Sequence, residues 1–570
     1  MNADSERLTR KYFLTIISLG FILRFVGIWY GLPDLYNSDE PFNVANALSY
    51  GTKKSLEPTY FVYPTLYSYF LFAVYSLYFL VGKAIGVFES ALDFGVSYFL
   101  DPTGLFFVGR LASVLLGAAT IFFVYKIGRR YFSDQVGLLS AIMLTLSYTH
   151  ADRSHWILLE PAVGFMCGLS LYLMFRFSET KSIKWNAMAS LVCGLAISTK
   201  YNAGFIVVPL LVVIVTAFKH RASTLFLNLA LSFLLILGGF LLGTPYWVSS
   251  FSSFWADLRY TMAHVGAGMA GHLSAIPLIW PLWELSFQDW TVGILMVAGL
   301  IYAFFQKDKK QLLLLMFVLP TLLLVGVWNR AGIHYIMPIF PALAVLGAVF
   351  LNDIFNQIRN KHFRVALITV LMFPAFYKIA YQDIRLTQPD TRTIAKKWIE
   401  SNIPHGSSIA YENYVYGPNL FDARRFLRNE SESGVLPTEL KERLLQEQNL
   451  RPSYLLINLR KDFKSRISSE QNHDTRSRRN RYIRQLLDNR LPKLSSVKKA
   501  GISYLLASSD NYARYFEGTS PEKGTALWLA YQNGKRFYEN VFNSPDLALL
   551  KEFRPTKWNL GPIIRIYKLE

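Results

Sequence analysis

The 570-residue chain is poor in cysteine, in histidine and in charge. Its two cysteines, Cys167 and Cys193, both sit inside apolar runs, which excludes a disulfide framework and gives no information on redox compartment. No H-E-x-x-H and no Cys/His cluster occurs, so a divalent metal has no ligand spacing to support it. Charged residues make up only 17% of the chain, against 52% hydrophobic and 15% aromatic. Several apolar runs reach the roughly 18 residues that mark a transmembrane helix. A soluble protein would break such runs with polar faces. The composition therefore describes a multi-spanning membrane protein.

Acidic residues are also outnumbered, and the net charge is +20. In a membrane protein such an excess reflects Lys and Arg retained in cytoplasmic loops, so nucleic acid is not implied as a partner. The clusters Arg7/Arg10/Lys11, Lys126/Arg129/Arg130, Lys181/Lys184, Lys219/Arg221, Lys307/Lys309/Lys310 and Arg359/Lys361/Arg364 set the topology. Placing all of them inside predicts about eleven spans, near 12–30, 104–126, 135–150, 157–175, 186–199, 202–218, 223–245, 290–306, 311–328, 334–352 and 365–381. The N-terminus is then cytoplasmic and the C-terminus outside. The first span is retained, because the opening MNADSERLTRK is partly acidic and no small-residue cleavage site follows. The tyrosine-rich run Tyr63–Val87 is expected in the outer interface, since a further full span would invert every later loop.

From about residue 385 the pattern changes. DTRTIAKKWIESNIP has helical spacing, and SSIAYEN, SYLLIN, ISYLLAS and IIRIYKL read as short buried strands. The expected organisation is an all-α polytopic membrane domain over 1–384, followed by an extracytoplasmic α/β domain over 385–570. The basic stretch KSRISSEQNHDTRSRRNRYIRQLLDNR reads as a solvated helix and loop, or as a contact for anionic lipid or glycan.

This topology gathers Asp39, Glu40, Asp152, His155, Glu160, Lys200, His264, His272, Arg330 and His334 on the outer side. A carboxylate at mid-bilayer costs about 2.5–3.5 kcal/mol, so Asp39 and Glu40 belong in water, in a polar recess or beside cations. They either start a Ser38-capped helix in a solvated loop or act as a base facing a ligand. In DRSHWILLEP, Glu160 beside Pro161 suits a helix N-terminus as well as a site, and His155 suits a structural hydrogen bond. Lys200 sits between two apolar runs, where it must snorkel or meet an anion. Arg330 and His334 lie four apart beside Tyr335, a spacing that can grip a phosphate or anchor the interface.

Together, SDEPFNVANAL, YPTLYSYFLFAVY with GRLASVLLGAATIFFVYKIGRR, DRSHWILLEP, GLAISTKYNAGFIVVP and IHYIMPIFPALAVLGA resemble the GT-C membrane glycosyltransferases of the protein O-mannosyltransferase and lipid A aminoarabinose transferase kind. The resemblance spans about residues 12–352. It departs at Tyr63-Pro64-Thr65, where the family more often carries histidine and two prolines. It implies transfer of a sugar, with inversion, from a polyprenyl-phosphate carrier to a lipid, glycan or protein acceptor at the outer face of a cell (inner) membrane, with no obligatory cofactor. Asp39 would then serve the acceptor, with Glu40 and Glu160 around it, and Lys200, Arg330, His334 and Tyr335 would meet the donor phosphate. His155, His264 and His272 are further candidates. The competing class is a transporter or flippase for a lipid-linked or anionic substrate, and a third is a sensor or assembly protein.

Overall fold

The computed structural model describes residues 3–267, 276–330, 332–422, 440, 442–443, 452–463, 490–517 and 520–569. His272 and most of the basic stretch beginning at Lys464 lie outside the described residues. Among the described residues, nine helical stretches are long and apolar enough to cross a membrane. They include α3 (Leu66–Ala84), α5 (Thr103–Tyr131), α8 (Leu159–Thr180), α11 (Ala222–Gly243), α13 (Trp280–Gln306) and α14 (Lys309–Gly326). Two more open with 3-10 turns, at Tyr201–Ile206 before α10 (Val207–Phe218) and at Ile333–Ile339 before α15 (Phe340–Gln357). The ninth opens with α16 (Lys361–Leu386), while α4 (Ala91–Leu100) and α12 (Phe251–Ala267) are shorter. The first helix, α1 (Ala3–Phe25), is absent from the nine because the charges up to Lys11 at its start and Arg24 at its end leave it no apolar run of membrane-spanning length.

Where one span was expected over 135–150, the chain makes two pieces, α6 (Asp134–Thr145) and α7 (Tyr148–Ser154). Two side chains explain the break. The Ser147 hydroxyl accepts from His150 N and so caps α7. Arg24, fully buried on α1, donates to the freed carbonyls of Leu144 (2.8 Å) and Thr145 (3.3 Å) at the end of α6. Elsewhere the bundle packs closely through glycines. A Cβ on Gly194 of α9 (Ile183–Thr199) would meet Ile236 O of α11 at 2.1 Å, so only glycine allows that crossing.

The basic clusters gather at one end of the bundle. Arg130 pairs with Glu179 at 3.0 Å, Arg129 with Glu6 at 3.3 Å, and Lys310 lies over the Phe132 ring. The opposite end carries the starts of α2 (Asp39–Lys53), α5 and α8 and the end of α9. Helix α3 belongs to this opposite end. Thr65 at its start donates to Gly243 O (2.6 Å), Tyr75 and Tyr78 abut Gly109 and Gly104, and Tyr67 neighbours Ser113. It therefore runs antiparallel to the opening turns of α5 alone, although its length would suffice for a crossing.

The C-terminal part forms a five-stranded sheet of order β2-β1-β3-β5-β4, with β1 (Ser408–Tyr411), β2 (Leu455–Asn458) and β3 (Tyr504–Ser508) parallel. Strands β4 (Leu547–Phe553) and β5 (Ile564–Leu569) pair antiparallel. Helix α17 (Thr391–Asn402) covers one face through Ala395 and Ile399 on Ile409, Leu506 and Ile566. The helix Ala526–Asn543 covers the other through Phe537, Tyr538 and Val541 on Ala410, Leu505 and Tyr567. The four strands expected from sequence are present. Strand β4 was not anticipated, because it is an edge strand whose middle residues are exposed and show no inward alternation.

Just beyond β1, Glu412 is buried and accepts from Tyr538 Oη (2.5 Å) and from Arg460 Nε (2.9 Å). Glu412→Ala leaves the Tyr538 hydroxyl without this acceptor and takes the carboxylate from Arg460, a cost of about 1–3 kcal/mol. Hydrogen exchange at Ala410 and Leu505 is expected to quicken by about ten- to a hundredfold. Unchanged protection there would mean that the network does not hold the sheet.

Candidate functional site

The polar end of the bundle is assembled from helix termini. Asp39 opens α2, yet the anticipated Ser38 cap is not made: Ser38 is in a helical conformation, and Asn37 Oδ1 accepts from Asp39 N at 3.0 Å. Helix α7 presents Arg153, and α8 starts with Glu160 one residue in. Lys200 ends α9, and the turn before α15 supplies His334 and Tyr335. Arg330 precedes that turn, donates its backbone N–H to Val265 O (3.2 Å) and meets the His264 ring through its guanidinium.

These side chains converge. Lys200 Nζ donates to Glu160 Oε1 at 2.7 Å and lies 5.9 Å from the centre of the Tyr335 ring. The His334 and Tyr335 rings are 4.1 Å apart, and Asn202 Nδ2 fixes Tyr335 by donating to its carbonyl (2.6 Å). The Asp39 carboxylate feels the charges of Glu160, Arg153 and Arg330, while His334 feels Lys200, Arg153, Glu160 and Arg330. Tyr63 closes the ring between Asp39, Glu160, Tyr335 and Arg330. Asp39 is exposed at its surface, but the protein walls around it and the Glu160 charge raise its pKa above the ordinary Asp value. Burial likewise raises the Tyr63 phenol.

Not every sequence candidate reaches this cluster. Glu40 points away from it and is fully buried in a two-pronged pair with Arg110, at 2.7 and 2.6 Å, while also accepting from Ile157 N (2.9 Å). Arg110 spends its remaining donors on Ile28 O and Tyr30 O. All of these contacts are made within the protein, so the pair joins four chain segments, at Ile28–Tyr30, Glu40, Arg110 and Ile157. His155 is 1% exposed and sits between Ala151 O and Val26 O, both at 2.9 Å, and so has a structural position. His264 stands behind Arg330. Glu160 is the partner of Lys200 rather than a free acid.

Three arginines escaped sequence reading. Arg153, whose Nε is buried without a hydrogen-bond partner, faces the cluster. Arg110 and Arg24 lie behind it, and each is a single arginine embedded in an apolar run, a signal that was available. Among the described residues, no three His, Cys, Asp or Glu side chains group as a metal site.

A family model described as dolichyl-phosphate-mannose-protein mannosyltransferase matches residues 103–248. An uncharacterized protein of Aquifex aeolicus is 25% identical over 255 residues, and the match covers 43% of this chain and 48% of that protein's length. Apo ArnT from Cupriavidus metallidurans superposes with a TM-score of 0.50 at 11% identity, covering 97% of both chains. AglB from Archaeoglobus fulgidus, solved with an inhibitory peptide and a dolichol-phosphate, superposes with a TM-score of 0.50 at 12% identity, covering 100% of this chain and 89% of that one. The chain has the GT-C membrane fold, a helical bundle followed by a small sheet domain, as its motifs resemble. The family-model match is thus a likeness over residues 103–248, and the two solved structures share the fold.

Proposed function

We propose that the protein is an integral-membrane glycosyltransferase that moves a sugar, with inversion, from a polyprenyl-phosphate carrier to an acceptor hydroxyl. The reaction occurs at the extracytoplasmic face of a cell membrane, with the N-terminus inside and residues 385–570 outside. The observation that carries this reading is the convergence of Asp39 with Arg330, Lys200 and Arg153 at one end of the bundle. The family model and the GT-C fold support it.

The chemistry follows from the charges. The acceptor oxygen attacks the anomeric carbon and forms the new C–O bond, while its proton passes to Asp39. The bond from that carbon to the phosphate oxygen breaks, and its electron pair leaves with the lipid phosphate, which gains negative charge. Arg330 offers a planar fork for that phosphate and Lys200 a point charge. Glu160 holds Lys200 in place. Asp39, with its raised pKa, is a better base than an ordinary aspartate. No metal is required in this scheme.

Arg330→Ala is the variant of choice, because Lys200→Ala would also leave Glu160 buried without its partner. In a panel of synthetic polyprenyl-phosphate sugars presented in lipid, wild type is expected to bind and consume at least one member. Arg330→Ala should weaken that binding by about tenfold or more, the scale of one charge-assisted hydrogen bond. Equal donor affinity in the variant would remove Arg330 from the phosphate site. Neither binding nor turnover by wild type across the panel would overturn the transferase reading.

A further inference from the structure

Beside Asp39 the structure builds an aromatic surface that the reaction scheme does not use. Phe42 lies one turn along α2 from Asp39, so the two side chains share a helix face about 5–6 Å apart at Cβ. Tyr60 stacks on one face of the Phe42 ring, with centroids 4.2 Å apart and planes 20° from parallel. Tyr63 meets Phe42 edge-on at 6.3 Å and 81°. Phe42 nonetheless remains 38% exposed, so part of its ring stays open beside Asp39.

The surface is rigid. Tyr60 Oη donates to Phe42 O at 3.1 Å, tying the loop to the helix. The same loop is clamped from behind: Phe61 N donates to Asp257 Oδ2 (2.7 Å), Tyr201 Oη donates to Phe61 O (3.0 Å), and Phe61 packs on Phe254. Tyr63 links this surface to the charged cluster, since it neighbours both Asp39 and Glu160. An open aromatic face thus begins where the acceptor hydroxyl must be delivered.

We infer that Phe42, Tyr60 and Tyr63 form an acceptor subsite that stacks on a pyranose ring, so that the acceptor is a carbohydrate. A pyranose has one face of C–H groups and a rim of hydroxyls. The C–H face suits the negative face of an aromatic ring, and the rim suits the phenol and carboxylate groups at the border of this surface. A ring seated on Phe42 carries its hydroxyls to Asp39 across the spacing of one helical turn. An acyl chain would instead need a continuous apolar trough, which Asp39 and the phenol groups interrupt. The inference rests on the transferase reading of the Asp39 end, and the test separates the two.

The probes are methyl glycosides of common disaccharides, a Ser/Thr-containing peptide and a short-chain phospholipid, each added to the full-length protein in nanodiscs. Saturation-transfer NMR reads which ligand protons touch the protein, and a titration gives Kd. At least one glycoside is expected to bind through the C–H protons of one ring face. Phe42→Ala should weaken it about tenfold, the scale of one aromatic contact, and Phe42→Trp should restore it. Phe42→Trp also guards against a variant that merely misfolds. Binding of the peptide or lipid with no glycoside contact would overturn the proposal, as would equal glycoside affinity in Phe42→Ala. Polyprenyl-phosphate donor binding in the same wild-type samples reports separately on the transferase reading.

Discussion

Asp39→Asn is expected to remove glycosyl transfer by about 10²- to 10⁴-fold, the span attributed to a positioned general base, while donor affinity stays within about twofold. The substitution keeps the shape of the side chain and the Asn37 contact to its backbone, so the loss reports on the carboxylate itself. A pH series makes the same argument independently. Only the ionised carboxylate accepts a proton, so activity should fall as pH drops through the pKa of Asp39. Enclosure and the Glu160 charge raise that pKa, so the acid limb should lie above the roughly 3.9 of a free aspartate. In Asp39→Asn the limb should vanish from whatever activity remains. A variant that transfers sugar within tenfold of wild type, with the limb intact, would exclude Asp39 as the base. Loss of substrate flux without cleavage of the sugar–phosphate bond in wild type would point to a transporter.

Breaking the Glu40–Arg110 pair is expected to have the largest effect on stability. Both side chains are 0% exposed and make charge-assisted bonds at 2.6 and 2.7 Å. Removing one partner leaves the other charged and buried, which typically costs about 3–5 kcal/mol. Glu40→Ala or Arg110→Ala should therefore fail to yield folded protein in detergent, or unfold at a markedly lower temperature. The double change Glu40→Leu with Arg110→Met removes both charges at once and should recover part of the loss. Wild-type thermal stability in Glu40→Ala would show that the pair does not hold the fold. The contrast with Asp39 is the informative result: two adjacent carboxylates, one expected to move rate and the other stability.

That contrast also shows where the sequence was legible. Apolar runs and basic loops located most of the bundle and the common end of Asp39, Glu160, Lys200 and Arg330, because both signals are local. The short parallel strands were equally readable as buried runs. What could not be read is pairing across the chain. Glu40 finds Arg110 seventy positions away, Lys200 finds Glu160 at forty, and Arg24 reaches the end of α6 at about 120. Each pairing changes a role: Glu40 leaves the site, Glu160 becomes a holder of Lys200, and Arg24 divides an expected span in two. Strand β4 was missed for a related reason, since an edge strand is defined by its neighbour β5 rather than by its own pattern.

The segment leading to Asp39 is held from the far end of the chain. Tyr30 donates to Asp390, Tyr36 meets Thr393 at 2.6 Å, and Lys396 reaches Asp34 at 2.7 Å, while Arg392 lies 3.9 Å from the Tyr36 ring centre. Leu560 packs into the same cluster as Tyr30 and Tyr36. The carboxylate proposed to drive the chemistry is thus suspended between the bundle, which fixes Glu40 beside it, and the start of the C-terminal part. For a chimera this sets the cutting point: a sheet domain borrowed from a relative must be joined after this chain's own α17, or carry Asp390, Arg392 and Lys396 at matching positions. Otherwise the graft would slacken the segment that aims Asp39, even though the junction lies outside every residue of the site.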